Sequence, residues 1–341
     1  MMKRTGISLL WGIVFTLNIF LFVACSDDDK DPTNSWNELS GTYQEKMLNP
    51  KLNNRILIVE GKSVDVQVTS ADKATLTLFH FIPDFTTVAF DVDLKLTDGQ
   101  YTISGEFIEN GVTLIVNGFF DKYGILNIDL TRKMNLPVTG NWRLNFHTGD
   151  SGSSADVYVA VQTANPALDD VINMVAGPAV GQLIAGKVSM VNISLGEDGF
   201  FNVSWRKQGE NEDTYLPEYI MQMLNIQYTM VDDQLMLAVD RNLITLAEFV
   251  VPLLDLGIRV EDVITSLSYL GGYYAIPFNL KEDGGHMTFY LSKEVVIPVI
   301  DLLIPFLVSS LPENLTPLVE SLLGLLPTAE KLDVGLVFQK N

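Results

Sequence analysis

From about residue 55 to residue 145, apolar and polar positions alternate with a period of two, the spacing that sends successive side chains to opposite faces of a strand. Val64-Asp65-Val66-Gln67-Val68-Thr69 and Tyr101-Thr102-Ile103-Ser104-Gly105-Glu106-Phe107 carry the pattern most clearly. Strands are expected over 55–60, 63–69, 74–81, 87–96, 101–106, 111–116 and 124–129. The separators include Asp98-Gly99 and Asn110-Gly111, pairs that tolerate the positive-φ positions of tight hairpins. Such a series predicts an antiparallel meander, strongly curved or closed. Before it, residues 36–47 fit either a short helix or a first strand. After it, Trp142, Leu144 and Phe146 continue the alternation up to a small, polar, glycine-rich stretch at 148–155.

The second half has a different pattern. A strand over 156–162 leads into a helix over 166–185, with Pro166 in the tolerated first turn and Pro178 expected to bend or divide it. Hairpins follow at 187–195 with 200–205, and at 227–231 with 234–239, the latter after a helix at 217–225. Apolar helices are expected over 242–256 and 261–270, then a strand over 287–292. A proline-punctuated apolar run at 295–326 and a last strand at 332–339 complete the chain. The reading is an α+β fold, with curved antiparallel sheets and apolar helices packed on them in the C-terminal half. Four segments result: a leader at 1–24, an acidic tether at 25–35, an antiparallel β domain at 36–150, and an α+β domain at 151–341.

The leader begins with Lys3 and Arg4, continues through an apolar stretch at 7–23, and ends on Ala24 before Cys25, the only cysteine of the chain. Phe22-Val23-Ala24-Cys25 resembles the cleavage box of bacterial lipoproteins. The alternative is an uncleaved anchor, since 7–24 is barely long enough to cross a hydrocarbon core. The lipoprotein resemblance implies that Cys25 becomes the first mature residue, with a thioether-linked lipid and an acylated amino group. Several acyl chains give stable anchoring where one gives only marginal binding.

Ser26, Asp27, Asp28 and Asp29 refine the address. An aspartate after the lipidated cysteine is similar to an inner-membrane retention signal of enterobacteria. The full acidic run looks more like the export signal of surface lipoproteins in the Bacteroidales, and a plain solvated linker is the third reading. Together with Leu39-Ser40-Gly41-Thr42-Tyr43 and the strand-rich body, these residues resemble the surface lipoproteins of that order. The resemblance implies an outer-membrane protein facing the cell exterior, with the periplasmic face as the alternative, and implies no particular activity.

Charge narrows the partners. The formal net charge is −20, which disfavours nucleic acid and anionic lipid surfaces and specifies no ligand. Apolar residues make up 47% of the chain against 19% charged, so a large core is expected. With Cys25 committed to lipid, disulfides and thiolate chemistry are ruled out for the mature body.

Candidate chemistry is sparse. His80, His147 and His286 have no metal-ligand spacing, no G-x-S-x-G elbow is present, and Asp91 with Asp93 read as a solvated strand face. No metal, cofactor or catalytic residue is expected. Two apolar segments share the pattern Val-x-Pro-x-x-Asp-Leu, through Val250, Pro252, Asp255 and Leu256 and through Val296, Pro298, Asp301 and Leu302. Apolar helices paired with curved sheet are similar to lipid-binding domains of the bactericidal/permeability-increasing type. That resemblance implies a groove for acyl chains, although an ordinary core accounts for the same residues.

Aromatic residues offer a different surface. Trp205, Tyr215 and Tyr219, and separately Tyr273 and Tyr274, are candidates to stack on sugar rings or on a protein. The functional reading is therefore a non-enzymatic envelope lipoprotein anchored in the outer membrane through Cys25, with an apolar ligand. A glycan- or protein-binding adhesin is the first alternative and a cryptic hydrolase the second.

Overall fold

Tight turns convert the alternating first half into sheet. Asp98 and Gly99 (φ 51° and 79°) close one hairpin, and Asn110 and Gly111 (φ 50° and 75°) close the next. Glycine and asparagine enter this region at low cost. The structure is a computed structural model that describes residues 32–149, 152–217, 225–241, 267–298, 324 and 326–341. Contacts divide the chain after Glu38, and Leu39–Asn341 forms one unit. A 3₁₀ turn covers Pro32–Leu39.

Nine strands build the first sheet: β1 (Gly41–Gln44), β2 (Leu48–Leu52), β3 (Arg55–Ile56), β4 (Ser63–Ser70), β5 (Lys73–Ile82), β6 (Phe85–Thr97), β7 (Gln100–Glu109), β8 (Val112–Phe120) and β9 (Leu126–Met134). Their order is β1-β4-β5-β6-β7-β8-β9-β2-β3. The meander from β4 to β9 is as expected, but it does not close. β1 occupies the free edge of β4, and β2 pairs in parallel with β9, so the two ends of the meander never meet.

Most of the remaining strands form the second sheet. In chain order they are β10 (Gly140–Leu144), β11 (Phe146–Gly149), β12 (Gly152–Ala155), β13 (Val157–Gln162), β14 (Val188–Leu195), β15 (Phe201–Lys207) and β16 (Thr214–Tyr215). Then come β17 (Gln227–Val231), β18 (Gln234–Asp240), β19 (Ser268–Leu270), β20 (Tyr273–Asp283), β21 (His286–Leu291) and β22 (Lys331–Lys340). β11 and β12 make a separate two-stranded ribbon. The rest run β16-β15-β14-β10-β22-β21-β20-β18-β17, with β13 also on β22 and β19 also on β20.

The expected architecture is thereby corrected. The fold is mixed α+β, but strands dominate it, and the sheets are neither curled nor closed. The curved sheets overlaid with apolar helices give way to open sheets whose edges are the short strands β1, β3, β16 and β17. Short edge strands limit the unpaired backbone a sheet offers to other chains. The apolar helices expected over 217–225, 242–256 and 295–326 fall largely outside the described residues. Of 261–270, the described end is strand, in β19.

The Pro166–Ala185 helix is present as expected, and it continues through Pro178. Side chains clamp it to β13. Asn173 accepts from Val161 N (2.7 Å) and donates to Val161 O (3.1 Å), while Asp169 accepts from the backbone and hydroxyl of Thr163 at 2.8 and 2.7 Å. Ile172, Gly177, Gly181 and Ala185 form its buried side; Val171, Met174, Val175, Val180 and Leu183 remain exposed. One cluster of buried side chains spans both large sheets, from Val66, Leu76, Leu114 and Leu130 to Leu195, Phe289 and Phe338. A smaller one joins the helix to β13 through Ile172, Val161 and Leu332.

Candidate functional site

The last strand organises an apolar cavity. In β22, Val334, Leu336 and Phe338 fall on one face by the period of two, and Gly335 between them lets β21 approach. A side chain at Gly335 would collide with the Phe289 carbonyl and with Tyr290. Register then sets Phe289 opposite Leu336 and Leu291 opposite Val334. On the neighbouring strands Leu235 stands opposite Phe278, and Leu237 follows on the same face. Ile193, Phe201 and Val157 come from the other side, and Val180 reaches in from the helix. Together these side chains bound a cavity of about 320 Å³ in which every described lining residue is apolar or glycine.

The opposite face of β14 and β15 is polar. Asn192 lies opposite Ser204, Ser194 opposite Asn202, and Asn141 opposite Ser194. Tyr215 of β16 stands opposite Ser204. These residues, with Asn341, line a depression of about 360 Å³ completed by Ile193 and Val203. A broader groove of about 510 Å³ crosses the outer face of β2, β9, β8 and β7 beside Phe119. Its amides are partly spent on each other, since Asn49 donates to Asn127 at 2.9 Å.

Between the two sheets runs a buried polar cluster. Arg132, wholly buried on β9, pairs with Asp84 at 2.7 Å and donates to Gln227 Oε1 (2.8 Å) and Tyr228 O (2.7 Å). Thr229 donates to Asp84 at 2.6 Å. Tyr273 donates to Phe81 O at 2.7 Å and accepts from Gln227 at 3.2 Å. Lys62 pairs with Asp240 beneath the Tyr273 ring, both side chains buried. Burial holds the Tyr273 phenol far above the ordinary tyrosine range, with Asp240 adding to the effect. Each acid in this cluster meets a base, Asp84 with Arg132 and Asp240 with Lys62, and the cluster joins the two sheets.

The structure separates the aromatic candidates. Trp205 is half-buried and pairs with Thr214, while Tyr215 pairs with Ser204, so Trp205 and Tyr215 project from opposite faces. Tyr215 is 65% exposed, whereas Tyr273 is wholly buried. Tyr274 is half-buried and packs edge-on against Tyr269 at 5.4 Å between ring centres. Tyr219, Cys25, Ser26, Asp27, Asp28 and Asp29 lie outside the described residues. The apolar cavity was missed from sequence because its lining is spread over seven strands and a helix. The signal that could have found it is the unbroken apolar alternation of 332–338.

Among the described residues, no three His, Cys, Asp or Glu side chains gather as a metal site, and no helix is long and apolar enough to cross a membrane. His80 is held at 3.0 Å from the Gly61 carbonyl, and His147 pairs with Asp156 at 2.7 Å. Comparison with protein-family models, with curated proteins and with solved structures finds no match in any of the three.

Proposed function

We propose that this chain is a non-enzymatic lipoprotein, anchored in the outer membrane through lipidated Cys25 and facing the cell exterior, whose body holds an apolar ligand. The observation that carries the ligand is the cavity of about 320 Å³, whose described lining is apolar throughout. Small-molecule sites begin at about 300 Å³ and are lined mainly by apolar and aromatic side chains. Among the described residues, no cationic side chain lines the cavity, so the part of a ligand held there is hydrocarbon, such as an acyl chain, with any polar end outside. Transfer of that hydrocarbon from water supplies about 25 cal/mol per Å² buried. The acidic run at Asp27, Asp28 and Asp29 supports the outward orientation, and the net charge of −20 agrees with a body standing off an anionic envelope.

The test is native mass spectrometry and lipid extraction on the body lacking residues 1–25, purified from its own host. A stoichiometric apolar ligand is expected. Val180 is 40% exposed on its helix, so Val180→Trp narrows the cavity with little risk to folding. That variant should lower affinity for a neutral naphthyl fluorophore at least tenfold. A clean apo protein that binds no fluorophore would overturn the reading, and protease accessibility on intact cells tests the orientation separately.

A further inference from the structure

We infer that the amide-lined depression on the polar face of β14 and β15 is a binding site for a neutral saccharide. It lies on the face opposite the apolar cavity and stands independently of the apolar-ligand reading. Four asparagines meet there: Asn141, Asn192, Asn202 and Asn341. Each side-chain amide offers both donors and an acceptor, the complement of a sugar hydroxyl, which donates and accepts at once. Ser194 and Ser204 add two hydroxyls of the same dual character.

Further observations fix the ligand class. Among the described residues, no Lys, Arg, Asp or Glu side chain lines the depression, so none of them compensates a ligand charge there. Arg143, opposite Asn192 on β10, is exposed and stands outside the lining. Tyr215, 65% exposed at the rim, offers a flat ring for the C–H face of a sugar, and its hydroxyl remains at the wet edge. Asn192 Oδ1 is buried without a hydrogen-bond partner, while its amide nitrogen meets only Met190 Sδ at 3.3 Å. A buried acceptor left unpaired costs about 1–3 kcal/mol, so Asn192 is not placed there for the stability of the sheet. Among the described residues, the side chains of Asn141, Asn202 and Asn341 make no hydrogen bonds, so these three amides are not committed to holding the sheet. At about 360 Å³ the depression has the size of a small-ligand site rather than the flat extent of a protein interface.

The experiment is calorimetric titration of the full-length protein, held in a zwitterionic detergent without a sugar headgroup. The probes are neutral gluco-, galacto-, manno-, xylo- and N-acetylglucosamine hexasaccharides, with oligogalacturonate as the acidic control. Saturable binding of at least one neutral probe is expected. Tyr215→Ala and Asn192→Leu should each weaken it at least tenfold at an unchanged thermal midpoint, whereas Val180→Trp should leave it unaltered. Failure of every neutral probe would overturn the assignment, as would binding that survives Tyr215→Ala. Binding confined to oligogalacturonate and lost in Arg143→Gln would overturn it equally.

Discussion

At the scale of single residues, Arg132 is the side chain on which most depends. Its guanidinium reaches Asp84, Gln227 and the Tyr228 carbonyl at 2.7–2.8 Å, and only Nε lacks a partner among the described residues. Gly199 (φ 79°) passes so close that a side chain there would strike the guanidinium. Removing one member of a buried pair leaves the other charge uncompensated, at a cost of about 3–5 kcal/mol. Arg132→Met should therefore destabilise the protein by about that much in urea titration, and the double variant Arg132→Met with Asp84→Leu should recover part of the loss.

Tyr273 gives a pH-dependent counterpart. The unfolded phenol ionises near 10.0, but burial raises the folded value well beyond it. Above pH 10 the folded state keeps a proton that the unfolded state releases, so raising the pH favours unfolding. Stability should be level through neutral pH and fall as pH rises past about 10, with a shallower fall in Tyr273→Phe. Little of this was legible in sequence. Tyr273 follows two glycines and reads as a loop residue; its burial depends on Phe81 and Gln227, far away in the chain.

Elements were legible wherever one face meets water. In β4 to β9 the alternation and the Asp-Gly and Asn-Gly turns gave strand existence and order, with ends off by up to five residues in β9, because half-buried strands write their faces into the sequence. β20 was not legible, because Pro277 removes a backbone donor and reads as a break. The structure places it near the point where β20 passes from pairing with β18, which ends at Phe278, to pairing with β21, which begins at Asn279. β2 was hidden for another reason: its parallel pairing with β9 is a long-range event that no local turn announces. For the sites, Tyr215 was legible as an exposed aromatic residue, but the four asparagines gain meaning only when register brings them together. The helix makes a prediction at this scale. Gly177 lies against the Val157 carbonyl, and a side chain at Gly181 would strike the Ala155 carbonyl and Ser154. Backbone atoms cannot yield as a side chain does, so Gly181→Leu should push the helix outward. A loss of about 1–3 kcal/mol is expected, together with weaker binding of the naphthyl fluorophore, because Val180 moves with the helix.

Over the whole molecule, the question is whether the two large sheets unfold separately. Composition changes near residue 150, which suggested a boundary there, but β10 enters the second sheet at Gly140–Leu144 and pairs with β14 and β22. Contacts then tie the sheets together repeatedly. Arg132 of β9 bonds to Gln227 and Tyr228 of β17, Lys62 pairs with Asp240 of β18, and Arg55 of β3 stacks over Phe200 at 3.7 Å. The first two links are charged groups inside a core, costly when a partner leaves, and the third is a half-buried cation on an aromatic face. A fragment spanning 36–150 would keep Arg132 and Asp84 but lose Gln227, Tyr228 and Thr229, and it would expose Leu114 and Leu130 of the shared cluster wherever the second sheet had covered them. Separation of the sheets is thus penalised twice, by orphaned polar groups and by exposed apolar surface. The body from Leu39 onward should melt in one calorimetric transition, with van't Hoff and calorimetric enthalpies in agreement. The isolated 36–150 fragment should lack a cooperative melt. Two resolved transitions, or a fragment that melts cooperatively near the midpoint of the intact body, would show that the ties between the sheets carry little of the stability.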